Sequence, residues 1–197
     1  MPERSAPTRR FFVGLGLDQT TRSACAAVAE RLRAAGFAAR YEAPEKLHIT
    51  LAFLGNVDDR RYDAITAALL ATAARSERFS IAFDKVGGFP HERKPRVVYA
   101  GARRQGAAFR ALAERVRAAY RDLDFTFEDD AVAHVTVARV KEPGRPLPPI
   151  AFEPIVVPVE RLTLFESIFD PQSDTSAYRI AKSAPLGAIA MLPEMSI

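Results

Sequence analysis

The chain contains 197 residues, of which 48% are hydrophobic and 26% are charged, and both fractions are ordinary for a globular protein. This composition excludes disordered and collagen-like chains, and a chain of this length can bury a core without disulfide bonds. The net charge of +4 and the pI near 9.5 are compatible with an anionic substrate. The positive excess is too small to indicate nucleic-acid binding by itself.

The single cysteine, Cys25, excludes an intrachain disulfide framework and a zinc site built from cysteines. We expect this thiol to be buried and to pack as a small hydrophobic side chain. The N-terminus has no apolar run typical of a signal peptide, and no apolar segment reaches the roughly 18 residues that span a bilayer. The sequence therefore predicts a cytoplasmic protein without a membrane segment, with residues 1–10 as a flexible N-terminus.

Hydrophobic periodicity and turn residues predict the secondary structure. Strands are predicted at 11–17, 38–41, 46–54, 79–83, 96–100, 133–140, 152–159, 161–168 and 177–182. Helices are predicted from the N-cap candidates at 18–21 to residue 35, from 58–59 to 75, and from 105 to 123. Turn-rich or proline-rich loops are predicted at 87–95 and 143–149. Because pairs of strands follow one another without an intervening helix, we expect antiparallel pairing and an α+β fold.

A pattern of histidine, apolar residue, threonine and apolar residue occurs twice in the chain. His48 and Thr50 form the first copy, and His134 and Thr136 form the second copy 86 residues later. Two of the three histidines of the protein therefore lie in the same sequence pattern. Because side chains alternate along a strand, the polar pair of each copy faces one side while its apolar neighbours face a core. If the two strands face each other, two imidazoles and two hydroxyls meet at one site.

Such a set of side chains suits displacement at phosphorus, in which the attacking and leaving oxygens lie on opposite sides. One imidazole can accept a proton from the nucleophile and the other can donate a proton to the leaving group, because histidine titrates near neutrality. The hydroxyls of Thr50 and Thr136 can donate hydrogen bonds to the non-bridging oxygens. This chemistry requires neither a metal nor another cofactor. From the residues alone, the acid and base roles of His48 and His134 are interchangeable.

The segments LHITLAFLG (47–55) and HVTVAR (134–139) resemble the signature of the two-histidine phosphoesterases. The particular resemblance is to the RNA 2′,3′-cyclic phosphodiesterases, also called 2′-5′ RNA ligases. Weaker similarity extends over most of the chain, at 10–13, 89–97 and 164–167. Two positions depart from the family pattern: Tyr99, where many relatives have tryptophan, and Lys46, where asparagine is frequent. We expect neither position to touch the chemistry.

The resemblance implies one bilobal α+β domain over residues 1–197, with two antiparallel sheets and flanking helices related by a pseudo-twofold axis. It places the active cleft between the two lobes. The implied reaction opens the 2′,3′-cyclic phosphate of an RNA end, tRNA fragments included, or of a cyclic nucleotide, and leaves a 2′-phosphomonoester. By the same analogy His48 is the proton donor and His134 is the proton acceptor. We expect the protein to be a monomer. The reverse reaction would join a 5′-hydroxyl through a 2′-5′ bond without ATP.

Two further residues are candidate substrate ligands. Arg139 matches the end of the second motif, yet strict alternation places it on the face opposite His134, so its place in the cleft depends on a bulge or on the resemblance. Phe12 can stack on a nucleobase, and the alternative is that it belongs to the core. The third histidine, His91, is expected at the surface of a basic loop.

Two other functions stay open. One is a non-catalytic nucleotide- or RNA-binding module that keeps the cleft, although the intact motifs argue against it. The other is the same chemistry on a small cyclic phosphate other than RNA, such as an ADP-ribose derivative. A dinucleotide fingerprint is excluded because Gln19 stands where the third glycine of that motif would be. Asp129 and Asp130 lack clustered metal ligands, so we expect them in an exposed turn.

Overall fold

The computed structural model describes residues 7–141, 144–171 and 175–187. This part of the chain forms ten strands and three α-helices. The strands are β1 Thr8–Gly16, β2 Arg40–Tyr41, β3 His48–Asp58, β4 Phe79–Phe83, β5 Lys85–Phe89, β6 Val97–Gly101, β7 His134–Arg139, β8 Ile155–Val159, β9 Arg161–Asp170 and β10 Thr175–Pro185. The helices are α1 Gln19–Ala34, α2 Tyr62–Ala74 and α3 Ala107–Arg121. No helix among the described residues is long and apolar enough to cross a bilayer.

The predicted α+β class is confirmed, and most predicted elements agree with the structure within a few residues. β1 begins at Thr8, so residues 8–10 belong to the sheet and not to a flexible terminus, while residues 1–6 lie outside the described residues. The start of the predicted basic loop at 87–95 forms the end of β5, because this segment pairs antiparallel with β6. Residue 143 of the predicted proline-rich loop lies outside the described residues.

Eight of the described strands form one antiparallel sheet in the order β10-β9-β1-β3-β7-β6-β5, with β2 beside β7. β4 and β8 pair separately. The central strands β3 and β7 meet through one residue pair, Ile49 and Val135. One half of the sheet consists of β10, β9, β1 and β3, and the other consists of β7, β6 and β5. The two halves therefore join where β3 meets β7, and each half contributes one motif to this junction.

Each half contains a strand, a helix and a motif strand in chain order: β1, α1 and β3 in the first half, with the short β2 before β3, and β6, α3 and β7 in the second. α1 packs against β7 and α3 packs against β3, so each motif strand is covered by the helix of the other unit. The predicted apolar stripe of α3 is buried and consists of Phe109, Leu112, Val116 and Tyr120. The exchange of helices joins the halves through the core as well as through the sheet.

The two faces of the central strands differ as the alternation predicts. Ile49, Leu51, Val135 and Val137 are buried in the apolar core on the helix side. Removing such side chains from water is the main stabilising contribution of this face. The histidines and threonines of the motifs are only half-buried. Cys25 is buried in α1, and burial raises the pKa of its thiol to about 12, which confirms the predicted packing role.

Candidate active site

A pocket of about 490 Å³ lies on the face of the sheet opposite the core, where β3 and β7 meet. All four polar residues of the repeated motif line this pocket, namely His48, Thr50, His134 and Thr136. Its volume is in the range of pockets that bind small molecules. The structure thus brings together the two motifs that the sequence analysis singled out.

The pairing of Ile49 with Val135 explains this convergence. In an antiparallel register the neighbours of that pair place each histidine across from the threonine of the other motif. His48 and His134 are then diagonal neighbours on one face, and such positions lie about 7–8 Å apart in antiparallel pairs. This separation leaves room for one tetrahedral phosphate between the two imidazoles.

The backbone holds both imidazoles in the same tautomer. His48 donates its Nδ1–H to the carbonyl of Lys46 at 2.6 Å, and His134 donates its Nδ1–H to the carbonyl of Val132 at 2.9 Å. A carbonyl oxygen can only accept, so Nδ1 carries the hydrogen in each ring. Nε2 is therefore the nitrogen that can exchange a proton with a ligand. In the first motif this nitrogen lies 3.1 Å from Oγ1 of Thr50.

Aromatic rings surround the imidazole of His48. The ring centroids of Phe12, Tyr178 and Phe165 lie 4.7, 5.1 and 5.6 Å from its own. Tyr178 meets the imidazole edge-on at 86°. Three different strands supply these rings, so their convergence depends on the sheet order and has no signal in the local sequence.

The second histidine has a smaller aromatic environment. The rings of Phe89 and Tyr99 lie 5.1 and 5.5 Å from His134 by their centroids. Burial lowers the pKa of both His134 and His48 below the usual 6.5, because it disfavours the charged imidazolium. Both rings are therefore mainly neutral in the free protein at pH 7.

Phe12 lines the pocket but leaves almost none of its ring exposed to a ligand. It is 2% exposed, and its ring stacks on Phe165 at a centroid distance of 4.9 Å and an interplanar angle of 14°. The prediction that Phe12 stacks on a nucleobase is therefore wrong, because neighbouring side chains already cover the ring. Phe12 instead packs behind His48 and fixes the position of that imidazole.

A β-bulge places Arg139 in the pocket. The register between β6 and β7 shifts by one residue beside Tyr99, so Val137 is an extra residue in β7. Beyond the bulge the alternation of side chains is reversed, and Arg139 returns to the face of His134. Strict alternation placed Arg139 on the face opposite His134, which is wrong. The alternative, that a bulge brings Arg139 to the pocket face, is confirmed.

The first motif contains the same irregularity. The register between β1 and β3 shifts after Thr50, and Leu51 is the extra residue. The bulge brings Phe53 to the pocket, where the residue is 63% exposed. Phe53 follows His48 by five residues, as Arg139 follows the second histidine. The sequence analysis did not identify Phe53, because a pattern with a period of two residues does not reveal a bulge.

Glu42 is a pocket residue that the sequence analysis also missed. Its side chain is 14% exposed, and its Oε1 accepts a hydrogen bond from Nε of Arg139 at 2.8 Å. The Glu42 carboxylate raises the pKa of His48 and so opposes the larger effect of burial on that pKa. The charge of Arg139 lowers the pKa of both histidines, whereas Glu42 acts on His48. Glu42 therefore makes the two histidines unequal.

The charged side chains of the pocket are mostly basic: Arg10, Arg40, Lys46 and Arg139. Their excess over Glu42 attracts anions into the pocket. Lys46 also supplies the carbonyl that holds His48, and Tyr99 packs beside His134. The expectation that Lys46 and Tyr99 lie away from the proposed chemistry is thus wrong, since each contacts a histidine.

Other candidate positions lie outside the pocket. His91 is exposed in its loop, and its Nδ1 accepts a hydrogen bond from the backbone N–H of Lys94 at 3.2 Å. Asp129 and Asp130 are exposed beside a bend, as predicted. Within 7–141, 144–171 and 175–187, no three His, Cys, Asp or Glu side chains form a group that could hold a metal ion.

Known proteins with similar sequences are phosphoesterases. A sequence model described as LigT-like phosphoesterase matches residues 15–99 and 102–173. The chain is 28% identical over 166 residues to an RNA 2′,3′-cyclic phosphodiesterase of Thermotoga maritima, covering 82% of this chain and 88% of that protein. It is 36% identical over 132 residues to a protein of the same name from Archaeoglobus fulgidus, covering 67% and 73% of the two chains.

Solved structures share the fold. The crystal structure of TT0787 from Thermus thermophilus matches with a TM-score of 0.80 and 27% identity, covering 90% of this chain and 98% of the other. E. coli LigT complexed with 3′-AMP matches with a TM-score of 0.68 and 25% identity, covering 93% and 100%. Because the family model spans both motif strands and the helices that cover them, the chain belongs to the LigT-like phosphoesterase family.

Proposed function

We propose that this protein hydrolyses the 2′,3′-cyclic phosphate at an RNA 3′ end to a 2′-phosphomonoester, with His48 and His134 as acid and base. The observation that carries the proposal is the meeting of two motifs of the same pattern in one pocket, each with its imidazole held through Nδ1 so that Nε2 can exchange a proton. The names of the Thermotoga and Archaeoglobus relatives support the substrate class.

In this mechanism the phosphate lies between the two imidazoles, and its non-bridging oxygens accept hydrogen bonds from Thr50 and Thr136. Neutral His134 accepts a proton from water through Nε2 as the water oxygen bonds to phosphorus. The bond from phosphorus to O3′ breaks on the opposite side, and protonated His48 donates its Nε2 proton to O3′. One proton is taken up and one is released, so solvent exchange restores both rings.

The surroundings of the two rings support this assignment of roles. Glu42 favours the imidazolium form of His48, which is the form that an acid needs. Arg139 disfavours the imidazolium form of both rings, and His134, which must be neutral before the reaction, has no Glu42 charge to oppose this effect. The motifs themselves are symmetric, so this asymmetry comes from residues outside their histidine and threonine positions.

The pocket charges also bear on substrate binding. Arg139 is 45% exposed at its side chain and lines the pocket, so its guanidinium can bind a phosphate while Glu42 orients it. The two proton transfers and the basic side chains supply the chemistry that the reaction needs, and we therefore propose that it proceeds without a metal or cofactor. In the reverse direction, an RNA 5′-hydroxyl in place of water would form a 2′-5′ bond.

The expectations of one bilobal domain, a monomer and a cytoplasmic location accompany this proposal and stay predictions. An assay with an RNA oligonucleotide that ends in a 2′,3′-cyclic phosphate tests the function. With EDTA present, we expect turnover to a 2′-phosphate, identified by chromatography against 2′- and 3′-phosphate standards.

Absence of turnover, formation of the 3′-phosphate, or a requirement for added metal would contradict the proposal. Binding of the oligonucleotide without turnover of any cyclic phosphate would instead favour a non-catalytic module. A much higher kcat/KM on an ADP-ribose cyclic phosphate than on the oligonucleotide would favour a small-molecule substrate.

A further inference from the structure

We propose that Arg10 and Tyr178 bind a second phosphate of the substrate, the phosphodiester that joins the terminal nucleotide of an RNA strand to the nucleotide before it. This inference rests on the proposed function for the position of the reacting phosphate, and it adds the place of the next phosphate along the strand. An RNA end should therefore bind more tightly than a cyclic mononucleotide, which carries no such diester.

The guanidinium of Arg10 is exposed and lines the pocket. Its strand position lies between Asn56 of β3 and Ser167 of β9, and neither neighbour carries a charge. Among the residues that the structure describes, Arg10 forms no ion pair. The preceding Arg9 faces the other side of β1, where it lies 2.5 Å from Asp59. Arg10 is therefore the arginine of this strand that can form two parallel hydrogen bonds with a phosphate.

Tyr178 supplies a neutral hydrogen-bond donor in the same cross-strand row. Ser167 pairs with Arg10 on one side and with Tyr178 on the other. Burial raises the pKa of Tyr178 and so keeps its hydroxyl protonated, while the charge of Arg10 opposes this rise. The two side chains thus lie close enough to interact electrostatically. Within the described part of the chain, the Tyr178 hydroxyl has no hydrogen-bond partner, so it can donate to a ligand.

A hydrogen bond between distant segments adds positive charge to this side of the pocket. Nζ of Lys46 donates to Oγ1 of Thr175 at 3.0 Å, which joins the segment before β3 to the beginning of β10. Both residues line the pocket. Because the partner of the ammonium is a neutral hydroxyl, its charge is not cancelled. The acidic residue of the pocket, Glu42, pairs with Arg139 instead. This side of the pocket therefore favours an anion.

The proposed chemistry sets the direction in which the RNA strand leaves the pocket. His48 donates its proton to O3′, so the ribose of the terminal nucleotide lies on the side of His48. Tyr178 contacts that imidazole at a centroid distance of 5.1 Å, and β10, β9 and β1 follow β3 on the same side of the junction with β7. The phosphodiester at the 5′ position of this ribose therefore extends toward Tyr178 and Arg10. Cations that contact phosphates in this way stabilise bound nucleic acid.

A binding experiment tests the second phosphate position without turnover. Isothermal titration compares the Kd of adenosine 2′-phosphate with that of adenosine 2′-phosphate 5′-(methyl phosphate), which carries the diester but no preceding nucleoside. We expect the wild type to bind the diester compound about tenfold more tightly, as charge-assisted hydrogen bonds allow. Arg10→Gln should reduce this ratio to about twofold or less. Tyr178→Phe keeps the ring beside His48 and should reduce the ratio about threefold, because one hydroxyl donor is lost.

Arg121→Gln is the control, because it removes the same charge from the exposed face of α3, where Arg121 pairs with Glu114. The ratio should stay at its wild-type value in this variant, and thermal melts check that each variant is folded. Equal Kd values of the two ligands in the wild type, no binding of either, or a ratio that Arg10→Gln leaves unchanged would overturn the inference.

A third ligand, ADP-ribose 2″-phosphate, presents a pyrophosphate at the same position of its ribose. If it bound more than about tenfold more tightly than the diester compound, the assignment of this position to RNA would be wrong. The outcome also separates binding from catalysis. If the ratio depends on Arg10 but no cyclic phosphate is hydrolysed, the proposed catalysis fails and the second phosphate position stands. If cyclic phosphates are hydrolysed but the ratio is one, the catalysis stands and this inference fails.

Discussion

His48 and His134 are held by the same hydrogen bond, in which Nδ1–H is donated to the carbonyl of the residue two positions earlier. In each case the acceptor belongs to the segment that enters the strand, so the backbone sets the ring orientation. The two imidazoles therefore present the same nitrogen, Nε2, to one pocket, and the charge of Glu42 distinguishes them.

The first prediction concerns these two rings. We expect His48→Ala and His134→Ala each to lower kcat by at least about 10²-fold, the usual effect of losing a general acid or base. The rate of cyclic-phosphate opening under substrate saturation measures this. His91→Ala serves as the control because that ring is exposed outside the pocket. A variant of either motif histidine that kept more than a tenth of the rate would contradict the assignment.

The second prediction concerns pH. Burial lowers the pKa of both histidines below 6.5, so the free enzyme loses the imidazolium of His48 as the pH rises through that lowered value. We therefore expect kcat/KM to peak below pH 6.5 and to fall at higher pH. In the bound complex the phosphate anion raises the pKa of both rings, so kcat should peak at higher pH than kcat/KM. A kcat/KM optimum above pH 7 would speak against this account.

The third prediction concerns Glu42. Replacing its carboxylate with the neutral amide in Glu42→Gln removes the charge that raises the pKa of His48. The descending limb of the kcat/KM profile should therefore move to lower pH, and the rate at pH 7 should fall. Glu30→Gln is the control because Glu30 pairs with Arg33 on the surface of α1. An unchanged descending limb in Glu42→Gln would show that the charge does not act on the acid.

The fourth prediction concerns Arg139. Because its guanidinium lines the pocket, we expect Arg139→Ala to raise KM about tenfold or more, as expected for a lost charge-assisted hydrogen bond. Arg139→Lys should restore part of the loss, since the charge returns without the planar fork. Steady-state kinetics separates KM from kcat, and Arg121→Ala is the control because Arg121 pairs with Glu114 on the exposed face of α3. If Arg139→Ala left KM unchanged, the guanidinium would not bind substrate.

The fifth prediction concerns the close approach of β1 to the first motif. A Cβ at Gly14 would lie 2.6 Å from the carbonyl oxygen of Ile49, which stands between the histidine and the threonine of that motif. Gly14→Ala should therefore lower the free energy of unfolding by about 1–3 kcal/mol, as overpacking does. Gly16→Ala is the control, because a Cβ there meets nothing within 4 Å. Equal thermal unfolding midpoints for both variants would refute the steric explanation.

The aromatic and acidic residues around His48 could not be predicted from the sequence. Glu42, Phe165 and Tyr178 come from segments far from either motif, and neither periodicity nor spacing distinguishes them from surface or core residues. Phe12 looked like a candidate ligand because it is aromatic and near a family motif. Its burial against Phe165 was decided by the pairing of β1 with β9, which the sequence does not specify.

Local sequence determined which segments form strands and helices, and it determined that each motif places its histidine and threonine on the face opposite its apolar residues. These properties follow from the two-residue period of a strand and from hydrophobic burial, which act between near neighbours. The tertiary structure alone decided that Ile49 pairs with Val135 and that bulges turn Phe53 and Arg139 into the pocket. Pairing and bulges depend on contacts between segments distant in the chain, so a local pattern does not contain them.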